Sequence, residues 1–235
     1  MTKAIQHTEH LHAIYEIIHH WFAFFEGETV TAKSQCRLFT EDAQIVHAGQ
    51  HLLANGVEEI ERWLLSVPPE HSSHTLDNLS LEALSDNQYQ VTWQTAYQAQ
   101  RHGGQVGGSI IAYQALITID EDGQARFRAL QKTPMASNPN TRFVETFKMH
   151  RIKALKSRLA QLATTSSATP ALSQYVQSPE MANLLDSILT QTDLTISDTE
   201  AAIIATTPVQ SWRFDVLEQG GLYIKISQIT SNSKE

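Results

Sequence analysis

The sequence predicts an α+β protein. Three observations carry that prediction. A broad apolar stripe at helical spacing fills the first 25 residues. An unusually regular two-residue alternation of side chains lies around residue 90. A second succession of helix and then strands follows residue 140.

The first helix is read from Leu11, Ile14, Tyr15, Ile18, Phe22 and Phe25, which recur at three- and four-residue steps. Ile17, Trp21 and Phe24 widen the stripe, so this helix is expected to be covered on more than one side. Gly27 is the expected stop. A short helix is expected from after Thr29 to Phe39, a turn over residues 39–43, and a short strand over residues 43–47. Asn55 and Gly56 signal a turn. A third helix over residues 57–65 turns Ile60, Trp63 and Leu64 inward, and Pro68 with Pro69 ends it.

Strands come next. His74 and Asn78 stand four apart at the head of the first long strand, where alternation sends both side chains to one side of a sheet. Tyr89, Val91, Trp93, Thr95 and Tyr97 alternate with Gln90, Thr92, Gln94, Ala96 and Gln98, the pattern of a half-buried antiparallel strand. After Gly103 and Gly104, residues 106–119 form a strand apolar on both faces, with Ile110 and Leu116 on one and Ile111, Tyr113, Ile117 and Ile119 on the other. Something is expected to cover its outer face, a second copy of the chain first and the C-terminal module otherwise. Glu121, Asp122 and Gly123 turn into a further strand over residues 125–132.

Residues 136–140 read as a linker, which divides the chain into a domain over residues 1–135 and a smaller module over residues 141–235. The module is expected to hold a helix over residues 143–162, a flexible stretch over 164–170, a helix beginning at Pro179, and three strands over 201–205, 211–217 and 222–229, the last two joined at Gly220 and Gly221. Charge supports the division: residues 1–140 carry 8 Lys and Arg against 16 Asp and Glu, whereas residues 141–235 carry 9 of each.

A net charge of −8 argues against nucleic acid or an anionic membrane as partner. With Cys36 alone, no internal disulfide forms. The N-terminal residues lack the apolar core of a signal peptide, and a cytoplasmic location is expected. The 11 histidines show no metal-binding spacing, so neither metal nor other cofactor is expected. The basic run Lys148, His150, Arg151, Lys153, Lys156 and Arg158 reads as a solvated helix face. No motif supplies a serine or cysteine triad, and Cys36 reads as core or half-buried.

Three local patterns carry a resemblance: Trp21 to Glu26, an aromatic helix end closed by an acid; Leu38 to Ala43, a turn into the first strand; and His74 to Asn78 at the strand head. In this order and separation, residues 5 to about 134 resemble the SnoaL-like branch of the nuclear transport factor 2-like superfamily. The resemblance implies a cone: a curved antiparallel sheet wrapped around helices, with a cavity open at one end. It covers just over half of the chain. Dehydratase-like relatives place a tyrosine and an aspartate five apart at the end of the first helix, where Trp21 and Glu26 stand here, and His74 matches their strand-head histidine. The acid that such relatives add on the next long strand is replaced by Trp93, Thr95 and Tyr97.

Two readings of function follow. In the first, a cofactor-independent lyase or isomerase acts on a small, largely apolar carbonyl or hydroxyl compound, with His74 as base and Glu26 orienting it. Trp21, Phe25, Asn78, Trp93, Tyr97 and Tyr113 would line the ligand pocket, and Tyr97 or Tyr113 would donate to a developing enolate oxygen. In the second, the pocket is degenerate and the chain is a non-catalytic binding or assembly module. The two separate on whether His74 and Glu26 meet inside a cavity or Trp21 and Trp93 fill it.

Overall fold

A computed structural model of the chain describes residues 3–26, 31–101, 103–164, 172–217 and 224–233. The chain forms two compact units, residues 20–147 and residues 1–19 with 148–235. The break does not fall at 136–140. That stretch stays hydrogen-bonded to the sheet of the first unit, as described below. The helix stop expected at Gly27, the stretch 165–170 and the glycine pair at 220 and 221 lie outside the described residues. No described helix is long and apolar enough to cross a membrane.

Helix α1 (Lys3–Phe25) gives its last residues to the unit over residues 20–147. Helix α2 (Ala32–Gln35) is capped by Thr31, whose hydroxyl accepts from the Ser34 amide, and a 3-10 turn (Cys36–Leu38) follows. Burial of Gln35 is offset by two hydrogen bonds that its amide donates to the carbonyls of His20 and Trp21. Cys36 is half-buried, which pushes its thiol pKa up to about 11.

The expected turn at residues 39–43 is already strand. β1 (Phe39–His47) starts at Phe39 because Phe39 and Ala43 are both core residues. β2 (His51–Asn55) pairs antiparallel with it around a turn where Ala48 and Gly49 take positive φ; five residues are too few for a periodic signal to mark it in the sequence. Helix α3 (Val57–Ser66) buries Ile60 and Leu64 and packs on β1 and β2.

β3 (Ser72–Ala83), β4 (Gln88–Gln100), β5 (Val106–Ile119) and β6 (Ala125–Ser137) form an antiparallel meander. The sheet order is β2-β1-β6-β5-β4-β3. Its β1–β6 pair is parallel, so the sheet is mixed and not antiparallel throughout. The meander explains this: its fourth strand reaches the free edge of β1 running in the same direction.

On β5, Tyr113, Ala115, Ile117 and Ile119 are buried, while Ile110 and Leu116 are half-buried. Gly108 is obligatory in another way. A Cβ there would collide with the Tyr97 carbonyl on β4, so the close β4–β5 approach requires glycine.

After β6 the chain does not leave the sheet. Asn138 and Asn140 fold it into successive side-chain-to-backbone turns, accepting from the amides of Asn140 and Arg142. Asn138 donates to the Tyr97 carbonyl, and Gln98 donates to the carbonyls of Asn140 and Arg142. Polar residues that suggested a linker are thus the ones that fasten residues 138–146 to β4.

The other unit holds residues 3–19 of α1, helix α4 (Phe147–Thr164), helix α5 (Pro179–Leu189) and a separate antiparallel sheet. Ser178 caps α5, accepting from the Met181 amide. The sheet has four strands, not three: β7 (Thr195–Asp198), β8 (Ala202–Thr206), β9 (Gln210–Leu217) and β10 (Lys225–Ser233), in the order β10-β9-β8-β7. β7 is short and polar, which hid it. Leu155, Leu159, Leu185, Ile203, Phe214 and Ile226 belong to its apolar core.

The basic run on α4 is only partly solvated. His150, Arg151 and Arg158 are buried, and Lys153 and Lys156 both pair with Asp198.

Candidate active site

In the unit over residues 20–147 lies a cavity of about 700 Å³. The end of α1 supplies Trp21, Phe24, Phe25 and Glu26; the segment after α3 supplies Val67, Pro68, Pro69, Glu70 and His71; the sheet supplies Ser72, His74, Tyr97, Ile111, Tyr113 and Lys132. Trp21, Phe24, Phe25, Trp63, Tyr97 and Tyr113 give it a strongly aromatic part. Trp21 stacks near-parallel on Trp63 at 6.2 Å and meets Phe25 edge-on at 4.9 Å.

His74 and Glu26 meet. His74 Nδ1 lies 2.8 Å from Glu26 Oε1, with the side chains 7% and 0% exposed. Thr146 closes a ring of contacts around them. Its hydroxyl accepts from the His74 backbone amide at 2.9 Å and donates to Glu26 Oε1 at 2.8 Å. Because Oε1 is already the acceptor for Thr146, the hydrogen shared with the imidazole is assigned to Nδ1. That tautomer leaves Nε2 with the basic lone pair. Phe22 stacks on the ring at 4.9 Å and Tyr97 lies at 5.3 Å, so aromatic packing helps to hold its orientation.

The electrostatics keep this histidine neutral. Burial pulls its pKa down to about 3, and the Lys132 ammonium adds to the fall. Lys132 is itself held below the ordinary lysine range by burial. Its ammonium sits 5.1 Å over the Trp63 ring. Tyr113 is pushed above the ordinary phenol range by burial and keeps its proton at neutral pH. Tyr97 is also shifted upward by burial, and its hydroxyl donates to Glu70.

Of the expected site residues, His74, Glu26, Trp21, Phe25, Tyr97 and Tyr113 line the cavity. Asn78 and Trp93 do not. Between Asp77 and Ser80 the β3–β4 register shifts, and Asn78 takes a positive φ of 53°. The bulge breaks the two-residue alternation, so Asn78 is exposed and donates to Gln94. Asn78 borders a smaller pocket of about 300 Å³ with Thr92, Gln94, Ala112 and Gln114. Trp93 is buried and stacks flat on Tyr113 at 4.9 Å, and it is Tyr113 that reaches the large cavity.

No protein-family model matches the chain, and no curated protein does. Solved structures do. LinA aligns over 60% of this chain and 97% of its own, at 16% identity and a TM-score of 0.50. Over the aligned part, the chain has the fold of LinA. Two further structures are similar at lower scores. Hexachlorocyclohexane dehydrochlorinase LinA-type3 from Novosphingobium barchaimii LL02 is 18% identical over 56% of this chain and 92% of its own, with a TM-score of 0.47. A nuclear transport factor 2-like protein with a cystatin-like fold from Novosphingobium aromaticivorans is 14% identical over 44% and 69%, with a TM-score of 0.39.

Within the unit over residues 20–147, sequence reasoning missed Lys132, Thr146 and Glu70. Lys132 faces the cavity because the β5–β6 register shifts after Phe127, bringing Lys132 opposite Tyr113. No composition signal marks that shift. Thr146 lies 72 residues from its partner His74, beyond the reach of any local pattern. Glu70 follows Pro69 directly, but the proline pair marks only a helix end and does not say which side chain after it turns inward. Among the described residues, no three His, Cys, Asp or Glu side chains converge as a metal-holding group.

Proposed function

We propose that the chain is a SnoaL-like protein that binds a small, largely apolar carbonyl or hydroxyl compound in the cavity and acts on it as a cofactor-independent lyase or isomerase. The observation that carries this reading is the buried His74–Glu26 pair, 2.8 Å apart, on the wall of an aromatic cavity.

His74 Nε2 takes a proton from the carbon beside the substrate carbonyl, and the C–H electron pair becomes an enolate. The imidazolium formed is held through Nδ1–H by Glu26, so the proton arrives with its countercharge in place. A neutral resting imidazole is the form this step needs. Tyr113, which keeps its proton, is the phenol available to donate to the enolate oxygen, since the Tyr97 proton is directed at Glu70. Return of the proton at another carbon completes an isomerisation; departure of a β-hydroxyl, protonated as water, completes a dehydration.

The test is hydrogen–deuterium exchange at the α-carbon of aryl ketones such as α-tetralone in deuterium oxide, followed by proton NMR. The protein accelerates exchange, and His74→Ala abolishes the acceleration. Acceleration that survives in His74→Ala overturns the base. Binding of the ketones with no exchange in the unaltered protein identifies instead a non-catalytic binding module. The same reading takes the protein as cytoplasmic and as a homodimer through the sheet face, where Ile110 and Leu116 are half-buried. Sedimentation of the pure protein as a monomer would refute the dimer.

A further inference from the structure

We infer that the cavity is built for an anionic ligand: a planar aromatic oxyanion whose ring lies against Trp63 and whose charge sits on Lys132. This rests on the cavity being a ligand site, and it names the class of compound that enters.

The argument is one of charge accounting inside a low-dielectric space. Three charged side chains line the cavity besides the imidazoles of His71 and His74: Glu26, Glu70 and Lys132. Both carboxylates are engaged within the protein. Glu26 accepts from His74 and Thr146, and Glu70 accepts from the Tyr97 hydroxyl. Lys132 is different. Among the described residues no carboxylate lies within ion-pair distance of it, and its marked contact is with the π face of Trp63. Burial depresses its pKa and no neighbouring anion offsets that.

A half-buried ammonium without a counter-ion is costly to the folded protein unless something supplies the charge. The face of an indole supplies only part. A bound oxyanion supplies the rest through a charge-assisted hydrogen bond. Geometry fits this occupant. Lys132 stands opposite Tyr113 on the neighbouring strand, and both line the cavity with Trp63 and Trp21. A flat ring can therefore lie among the aromatic side chains with its charged edge at the ammonium. The ammonium also acts on His74 electrostatically. Burial is the larger cause of the lowered imidazole pKa and Lys132 the smaller; a ligand anion on Lys132 removes that smaller part and makes the proposed base more basic once the anion is seated.

The test is calorimetric binding of naphthoate and of naphthamide, its neutral counterpart of the same shape, to the full chain at neutral pH. The unaltered protein is expected to bind naphthoate about tenfold more tightly than naphthamide. Lys132→Met, which keeps the stem and removes the charge, equalises the two, and Lys132→Arg retains the preference. Equal affinity for both probes in the unaltered protein overturns the inference, as does a preference that survives in Lys132→Met. Binding of neither probe overturns the inference together with the ligand-site reading. Failure of the base alone looks different: the naphthoate preference stands while His74→Ala leaves ketone exchange unchanged.

Discussion

The two ends of one strand segment, His74 and Asn78, behave in opposite ways. At His74 the strand is paired, the side chain is buried, and two groups from distant parts of the chain, Glu26 and Thr146, converge on it. Four residues on, a bulge rotates the backbone, and Asn78 is exposed with a neighbouring glutamine as its partner. The difference shows that register, more than residue identity, decides which side chains enter the cavity. A histidine and an asparagine at the same periodic phase part company because one backbone position takes a positive φ.

That contrast can be attacked at the His74 end first. Glu26→Ala removes the acceptor of both Nδ1 and Thr146 and leaves a buried imidazole without its carboxylate. We expect a loss of about 3 kcal/mol in urea unfolding and loss of ketone exchange. Thr146→Val keeps the shape and strands the His74 amide. It should cost about 2 kcal/mol, while Thr146→Ser costs much less.

The pH dependence of stability reads the same end of the contrast. Burial holds His74 neutral in the folded protein down to a pKa of about 3. The unfolded chain takes up a proton there at about 6.5, the ordinary histidine value. The contribution is therefore complete above about pH 6.5 and is lost as pH falls towards 3, at roughly 1.4 kcal/mol per pH unit where the slope is full. His74→Gln should lack this component of the slope in denaturant titrations at stepped pH.

At the Asn78 end the effects are small. Asn78→Gly relieves a positive φ and should change stability by no more than about 1 kcal/mol, in the stabilising direction, with naphthoate binding unchanged. A large loss of binding in this variant would mean that the bulge reaches the cavity after all, and the contrast would collapse.

The sequence made some of this legible and not the rest, for physical reasons. Periodicity located α1, α3 and the four meander strands; alternation placed His74 at a strand head, and the resemblance of the helix end to the SnoaL-like pattern singled out Glu26. β2 was hidden because five residues are too few for a periodic signal, and β7 because it is short and mostly polar. Lys132 and Asn78 were misjudged or missed because bulges shift phase without a residue signature. Thr146 was out of reach because its bonds join positions 120 and 72 residues apart. The segment around Asn138 and Asn140 was read as a linker because the same side chains that favour loops also make the bonds that pin this one to β4.

The claim on which the rest depends is that His74 is a neutral, Nδ1-protonated imidazole bonded to Glu26 at the cavity wall. A long-range proton–nitrogen NMR spectrum of the histidine rings, with His74→Gln to assign the signal, tests it directly. The account predicts a single Nδ1–H tautomer that does not titrate as the pH is lowered from 8 to 5. An Nε2–H tautomer, or a titration centred near the ordinary histidine value of about 6.5, would contradict it.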